Sequence, residues 1–384
     1  MENQKSRIQE ILSQGENRRV EFKSGSVRAD SLAVEMSAFA NTAGGIILVG
    51  VEDNGDITGI ERTDFEEWVS NIARQNIVPA IQPEVYNVTI DQKNIGVIEI
   101  PKGAYKPYQT IDGRYRIRVG STNRIATKEE LSRLFQQSGL VHFDISHVDG
   151  TSVKDLDINR LHQYWSTYYE IFYQDLEQEE QLNILLNADI INKTEDTLNA
   201  TVGGLLIFGK NPQRRLPHSS IIFAVFSGND ITSELLNKKE ICGTLTDIID
   251  NTAGLMELYI PKPSVINGLK REEISNIPRK VIRESLVNAV CHRDYSIANQ
   301  KITVYKFSDR FEITSPGNLP NTLTVEKVRY GNSAPRNLFL LKYLDNFRYI
   351  DGLGRGIPMM IKLMGQRAVF EEIGDRFRVI LRLI

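Results

Sequence analysis

Two cysteines, Cys242 and Cys291, are all that 384 residues contain, and they lie far apart. That excludes a disulfide-stapled scaffold and a thiolate-rich metal knot, and it leads us to expect a reducing, cytoplasmic setting. Long apolar runs are also missing. The longest, such as Ile46 to Val49, are strand-length, and the opening residues Met1-Glu2-Asn3-Gln4-Lys5 are polar, so neither a signal peptide nor a membrane span is expected. There is no surplus of positive charge: 46 Lys and Arg stand against 49 Asp and Glu, a net charge of −3. The chain as a whole is therefore no basic coat for nucleic acid, and any such contact must be local. A Walker A phosphate loop is absent as well, which argues against a helicase motor.

What is present is the composition of a globular protein, 41% hydrophobic and 25% charged, long enough for two to three domains. Charge divides it. Residues 1–140 carry 17 basic and 19 acidic side chains, residues 141–200 carry 3 and 12, and residues 201–384 carry 26 and 18. The expected class is α/β (α+β), with two mixed-sheet domains, 1–140 and 201–384, joined by an acidic helical connector over 141–200. In the first domain the patterning predicts a helix around Ile8 to Leu12 and a strand from Arg19 to Lys23. A helix from Ser31 to Asn41 follows, stopped by Gly44-Gly45, then a buried strand from Ile46 and a hairpin turn at Asp53-Asn54-Gly55-Asp56. A helix at Asp64 to Gln75 and strands at Glu84 to Ile90, Ile95 to Ile100 and Arg114 to Val119 complete it. In the second, strands are predicted at Gly204 to Phe208, Ile221 to Phe226 and Phe377 to Leu383. A hairpin should pair Lys301 to Phe307 with Arg310 to Thr314, and helices should span Leu245 to Leu258 and Pro278 to Cys291. Thr42 to Gly50 also echoes Thr201 to Gly209, which suggests two buried strands entered by the same glycine turn.

On the Pro278 to Cys291 helix, Glu284, Asn288 and His292 are spaced by four and share one side, with Ile282, Leu286, Ala289 and Val290 on the other. A carboxylate and an amide one turn apart can share a nucleotide site, the first handling a water and the second binding a magnesium ion held by phosphates. The alternative is a solvated polar face. Further on, Gly352-Leu353-Gly354-Arg355-Gly356-Ile357 leaves backbone N–H groups bare ahead of an apolar helical run, a pattern suited to an anion, and Arg355 adds a positive charge.

Taken together, Glu284-x-x-x-Asn288-Ala289-x-x-His292-Arg293-Asp294-Tyr295, Asp309-Arg310-Phe311-Glu312-Ile313-x-Ser315-Pro316-Gly317 and Gly352-x-Gly354-Arg355-Gly356-Ile357 resemble the C-terminal ATPase-like domain of a family of transcriptional regulators and RecG helicase-related proteins. That domain is similar to the ATPases of histidine kinases and gyrase. The resemblance implies ATP and magnesium as cofactors, Glu284 as the water-activating base, Asn288 as the metal ligand, Gly352, Gly354 and Gly356 as a phosphate-facing lid, and His292, Gly317 and Arg355 as further nucleotide contacts. It also implies a homo-oligomer, because such ATPases pair when the lid closes. Ser315 stands where the superfamily has an adenine-reading aspartate, which leaves the base open.

Near the N-terminus, Glu16-Asn17-Arg18-Arg19-Val20-Glu21-Phe22-Lys23, Ser37 to Gly45 and Gly50-Val51-Glu52-Asp53-Asn54-Gly55 resemble the Schlafen AlbA-type domain over about residues 10–135. This implies contact with nucleic acid, DNA or RNA. In the Schlafen branch it also implies an RNA-cleaving site of acidic residues with a divalent metal, magnesium or manganese, at positions matching Glu16, Glu21 and Asp53; such an enzyme could serve in stress or phage defence. From the residues alone, Glu21 could equally pair with Lys23 or a neighbouring arginine, and Asp53 could simply form the turn. Independently, the segment Lys102 to Arg133 holds eight basic against three acidic side chains. Strand alternation puts Arg114, Arg116 and Arg118 on one face, where, with Lys23 and Arg124, they are expected to meet phosphates, while Tyr105, Tyr108 or Tyr115 stack on unpaired bases.

Overall fold

The computed structural model describes residues 2–194, 197–261, 264–267, 270–273, 276–320, 323–350 and 354–384. The chain is mixed α and β throughout, and it divides into two compact units, Met1–Val141 and His142–Ile384.

The first unit is built on a four-stranded sheet in the spatial order Val20–Lys23, Gly45–Val49, Lys93–Ile100, Glu84–Ile90. The first pair is parallel, joined through the helix Ala29–Asn41, and the remaining pairs are antiparallel. Alternation along Gly45–Val49 sends Ile47 and Val49 to one face and Leu48 to the other, as the two-residue period of a strand requires. Ile47 and Val49 meet the helices Ala29–Asn41 and Phe65–Gln75 through Met36, Phe39, Val69 and Ile72. Leu48 meets Ile8 of the N-terminal helix Glu2–Gln14. The predicted hairpin at Asp53 closes as a turn, with Gly55 N–H on Glu52 O at 2.8 Å. It then pairs by a single bridge, Val51 with Ile57.

The second unit carries a six-stranded sheet ordered Leu235–Ile241, Ile221–Phe226, Ile302–Lys306, Arg310–Pro316, Arg376–Arg382, Ala368–Ile373. Ile221–Phe226 and Ile302–Lys306 run parallel and the other pairs antiparallel. The helices Leu245–Leu258 and Arg279–Cys291 bury their apolar sides in the same core as the sheet.

Two expectations change here. The acidic stretch 141–200 carries the helices Ile158–Tyr169 and Gln178–Asn187 and then the antiparallel strands Ile191–Thr194 and Thr197–Ala200, and from His142 onward it belongs to the second unit. The reason is aromatic: Tyr164, on the helix Ile158–Tyr169, is buried with its ring 5.0 Å from that of Tyr343 and 5.3 Å from that of Phe208. Asp144 adds a cap, accepting from Phe339 N–H at 2.8 Å at the start of the helix Leu338–Asn346. Second, Gly204 to Phe208 is no strand. Val202–Phe208 is a helix buried on every side, opened by Thr201, whose Oγ1 accepts from Gly204 N–H at 2.9 Å. The echo of Thr42 to Gly50 is therefore one pattern in two conformations, because a short run buried all round has no polar face to reveal its period.

Candidate functional site

In the second unit a cavity of about 300 Å³ opens between the helix Arg279–Cys291, the strand Arg310–Pro316 and the start of the helix Gly356–Met364. Its walls include Glu284, Asn288, His292, Ser315, Gly317, Gly354, Arg355 and Gly356, so residues far apart in sequence share one space. Gly352 lies outside the described residues.

The helix presents Glu284 and Asn288 because Val281, Ile282, Leu286 and Val290, on its other side, are fully buried in the core. Both polar side chains are half-buried. Asn288 Nδ2 donates to Glu284 Oε1 at 2.8 Å, which turns the amide's carbonyl oxygen away from the carboxylate. Gly356 packs directly on that carboxylate, since a Cβ there would stand 1.6 Å from Glu284 Oε1. Ser315 donates its hydroxyl proton to Ala289 O at 2.7 Å, tying strand to helix.

Gly317 has a second duty. At φ +112°, a Cβ would lie 2.0 Å from Arg336 Nη1 and 2.8 Å from Asp294 Cβ. Arg336 is buried beneath the turn, 3.8 Å from Asp294 Oδ2, and donates to His292 O and Asn318 O. Asn337 donates to Cys291 O and Arg293 O at 2.8 Å each, satisfying carbonyls at the end of the helix. Arg336 and Asn337 brace the backbone behind this wall of the cavity, and the sequence does not announce them, because buried polar residues in a loop leave no periodic signal. Burial, with Arg336 alongside, pushes the His292 imidazole down to about 4, so it is neutral near pH 7. Burial likewise pushes the Cys291 thiol up to about 12, which makes it unreactive.

The first unit departs from expectation at both proposed constellations. Among the described residues no group of three or more His, Cys, Asp or Glu side chains is placed to hold a metal ion. Glu21 is buried in an ion pair with Arg118, at 2.7 Å, and another with Lys23. Glu16 Oε1 accepts from Phe22 N–H at 2.9 Å, while Asp53 stands exposed in its turn. The acidic trio therefore does not gather as a metal site; Glu21 is held by cations.

The arginine ladder is corrected for the same reason. Arg118 has a fully buried side chain, 2.7 Å from Glu21 and 3.5 Å from Glu35, donating to Asn17 O and Val20 O and lying 4.6 Å over the Phe39 ring. Burial, then the nearby Glu21 charge, raises the Glu35 carboxyl above its ordinary range. Arg116 is bound to Asp112 at 2.7 Å, which holds that carboxyl well below its ordinary range, and Arg124 makes a two-pronged pair with Glu130 at 2.7 and 2.8 Å. Of the three aligned arginines, Arg114 is exposed, 3.8 Å from Asp112. The charges of Arg116, Arg118 and Arg124 are thus balanced within the unit.

Comparison with known proteins matches residues 16–127 to the family model described as "Schlafen, AlbA_2". Residues 299–381 match the model described as "Putative ATP-dependent DNA helicase recG C-terminal". The chain thus joins a Schlafen AlbA-type segment to a RecG-related, ATPase-like one, as the motifs imply. Glu284, Asn288 and His292 precede the second matched segment. Among solved structures, the DIP2311 protein from Corynebacterium diphtheriae is 22% identical, with 98% of this chain and 80% of that one covered and a TM-score of 0.49. The N-terminal domain of a RecG-related protein from Nitrosomonas europaea is 26% identical, with 28% and 83% covered and a TM-score of 0.22. No helix among the described residues is long and apolar enough to cross a membrane.

Proposed function

We propose that the chain is a nucleic-acid-binding regulator whose second unit binds a nucleoside triphosphate with magnesium and whose first unit contacts DNA or RNA. The observation that carries this reading is the single cavity shared by Glu284, Asn288 and the Gly354-Arg355-Gly356 backbone. Its donors suit the group. The Asn288 carbonyl oxygen is a hard ligand, directed away from Glu284 by the amide bond at 2.8 Å, and fits a magnesium ion whose other ligands are phosphates and water. The Glu284 carboxylate is the group to orient a water or take its proton. Backbone N–H groups at the start of the helix Gly356–Met364 favour phosphate oxygens. When bound, the ion neutralises phosphate charge. Closure of the glycine segment over the triphosphate would then alter nucleic-acid affinity or self-association.

Thermal melting of the full chain with ATP, GTP, CTP or UTP, each with and without magnesium, tests this reading. A ligand that binds the native state alone raises the melting temperature, so at least one nucleotide should do so, and Asn288→Ala should remove the rise. Absence of a rise with all four nucleotides would defeat the proposal.

A further inference from the structure

The segment after the strand Lys93–Ile100 is welded to the end of the helix Ala29–Asn41. Gly103 N–H donates to Ala40 O at 2.9 Å, Lys106 Nζ to Thr42 O at 2.8 Å, and Tyr108 exchanges 2.7 Å bonds with the Asn41 side chain through its N–H and its carbonyl. The Tyr108 hydroxyl then accepts from Tyr105 N–H at 3.0 Å. A Cβ at Gly103 would lie 2.1 Å from the Tyr108 ring, so this turn fits only because the residue has none. The loop is therefore held at its base through Gly103, Lys106 and Tyr108, yet its tip, Tyr105, is 74% exposed. A large aromatic ring kept in water on a fixed backbone is costly in apolar exposure and cheap in ordering entropy, the combination a stacking platform requires.

The other two tyrosines are otherwise engaged. Tyr108 is buried, and Tyr115 lies edge-on to Phe135 with ring centroids 6.3 Å apart.

Cationic residues distant in sequence arrive at the same end of the sheet. The turn at Gly44, φ +73°, passes so near the start of the loop that a Cβ would meet Lys102 N at 2.8 Å, and one at Gly45 would meet Arg19 O at 2.8 Å. Arg18 and Arg19 are both exposed, and among the described residues neither has a carboxylate within ion-pair distance. This contrasts with Arg116, Arg118 and Arg124, whose charges are met by Asp112, by Glu21 and Glu35, and by Glu130.

We propose that the first unit takes a single strand of nucleic acid at this end of its sheet, one unpaired base stacking on Tyr105 and neighbouring phosphates meeting Arg18 and Arg19. This rests on the nucleic-acid reading above and narrows it. A duplex keeps its base faces stacked inside and cannot offer one to Tyr105, whereas a single strand can.

The test is fluorescence anisotropy on the full chain. The probes are an unstructured RNA strand, a DNA strand of the same sequence, and the duplex of each. At least one single strand should bind more tightly than its duplex. Tyr105→Ala should weaken that binding about tenfold, the loss of one stacked base, while Tyr105→Phe, which keeps the ring, should stay within about twofold. Arg19→Ala should reduce the slope of log affinity against log salt by about 0.7, one phosphate on a single strand. Equal binding by Tyr105→Ala and the parent chain, or preference for duplex, would overturn this inference and leave the broader reading standing. No binding of any of the four probes by the parent chain would overturn both.

Discussion

The backbone of Gly356 lies so close to the carboxylate of Glu284 that a methyl group added to the glycine would stand 1.6 Å from Oε1 and 2.3 Å from the carboxyl carbon. The first turn of one helix thereby fixes the rotamer of a side chain on another. Gly356→Ala separates fold from site. The obstructed atom is the far end of a flexible side chain, and alanine suits a helix better than glycine by about 0.5–1 kcal/mol. We expect stability by chemical denaturation to change by no more than about 1 kcal/mol. Glu284 must leave its pairing with Asn288, so the nucleotide-dependent rise in melting temperature should shrink. A large loss of basal stability with an unchanged rise would contradict the assignment.

Arg118 makes a second separation. Its side chain is fully buried and those of Glu21 and Glu35 nearly so. Removing the guanidinium leaves two neighbouring carboxylates with Lys23 as their remaining cationic partner, a change that costs about 3–5 kcal/mol when a buried pair is broken. Arg118→Ala should therefore lower the denaturation midpoint of the first unit sharply. Arg114→Ala, at an exposed position, should leave it within about 0.5 kcal/mol. If the two variants melted alike, Arg118 would not be the structural cation described here.

Particular elements show how far the sequence could be read. The helix Leu245–Leu258 is legible to its end residues because its apolar spacing is interrupted by Asp247, Asp250 and Glu257. The run Val202–Phe208 offers no such interruption, so its pattern fits a buried strand as well as the helix it forms. The outer strand Leu235–Ile241 carries no alternation to read, since Leu235 to Glu240 is exposed residue after residue, and Ala368–Ile373 alternates over its first four residues alone. At the site, the spacing of Glu284, Asn288 and His292 with the glycine segment was enough to nominate residues that share one cavity. For the arginines, alternation could say that Arg116 and Arg118 share a side, but not that this side faces inward. That depends on Glu21 and Glu35, far away in the chain and invisible to a local pattern.

His218 gives the second unit an acid-sensitive point. It is buried, its Nε2 is 3.1 Å from Tyr295 O, and burial, assisted by the Arg293 charge, pushes its pKa from 6.5 down to about 4. Between those values the unfolded chain holds a proton that the folded chain does not, so stability rises with pH from about 4 to about 6.5 and levels off above. The neutral imidazole donates Nε2–H to the carbonyl. His218→Gln keeps a donor and removes the titration, so the parent should gain stability relative to the variant as pH rises from 5 to 6.5. A constant difference would mean that His218 does not titrate in this window.

Lys106 produces the same sign at higher pH, in the first unit. The side chain is 3% exposed, with Nζ donating to Thr42 O at 2.8 Å. Burial, then the charge of Lys102, lowers its pKa from 10.5 to about 7. Above pH 7 the folded state leaves the amine largely neutral, while the unfolded chain protonates it up to about 10.5, so the cost of burying this residue falls steadily as pH rises across that interval. Lys106→Met keeps the length of the side chain and has nothing to titrate. Relative to the parent, the variant should be most favoured at and below pH 7 and lose that advantage progressively toward pH 10, measured by denaturant unfolding at fixed salt. If the difference stayed level across the range, the amine would have to remain charged inside the fold, and the single carbonyl of Thr42 would be doing the solvating that burial denies it.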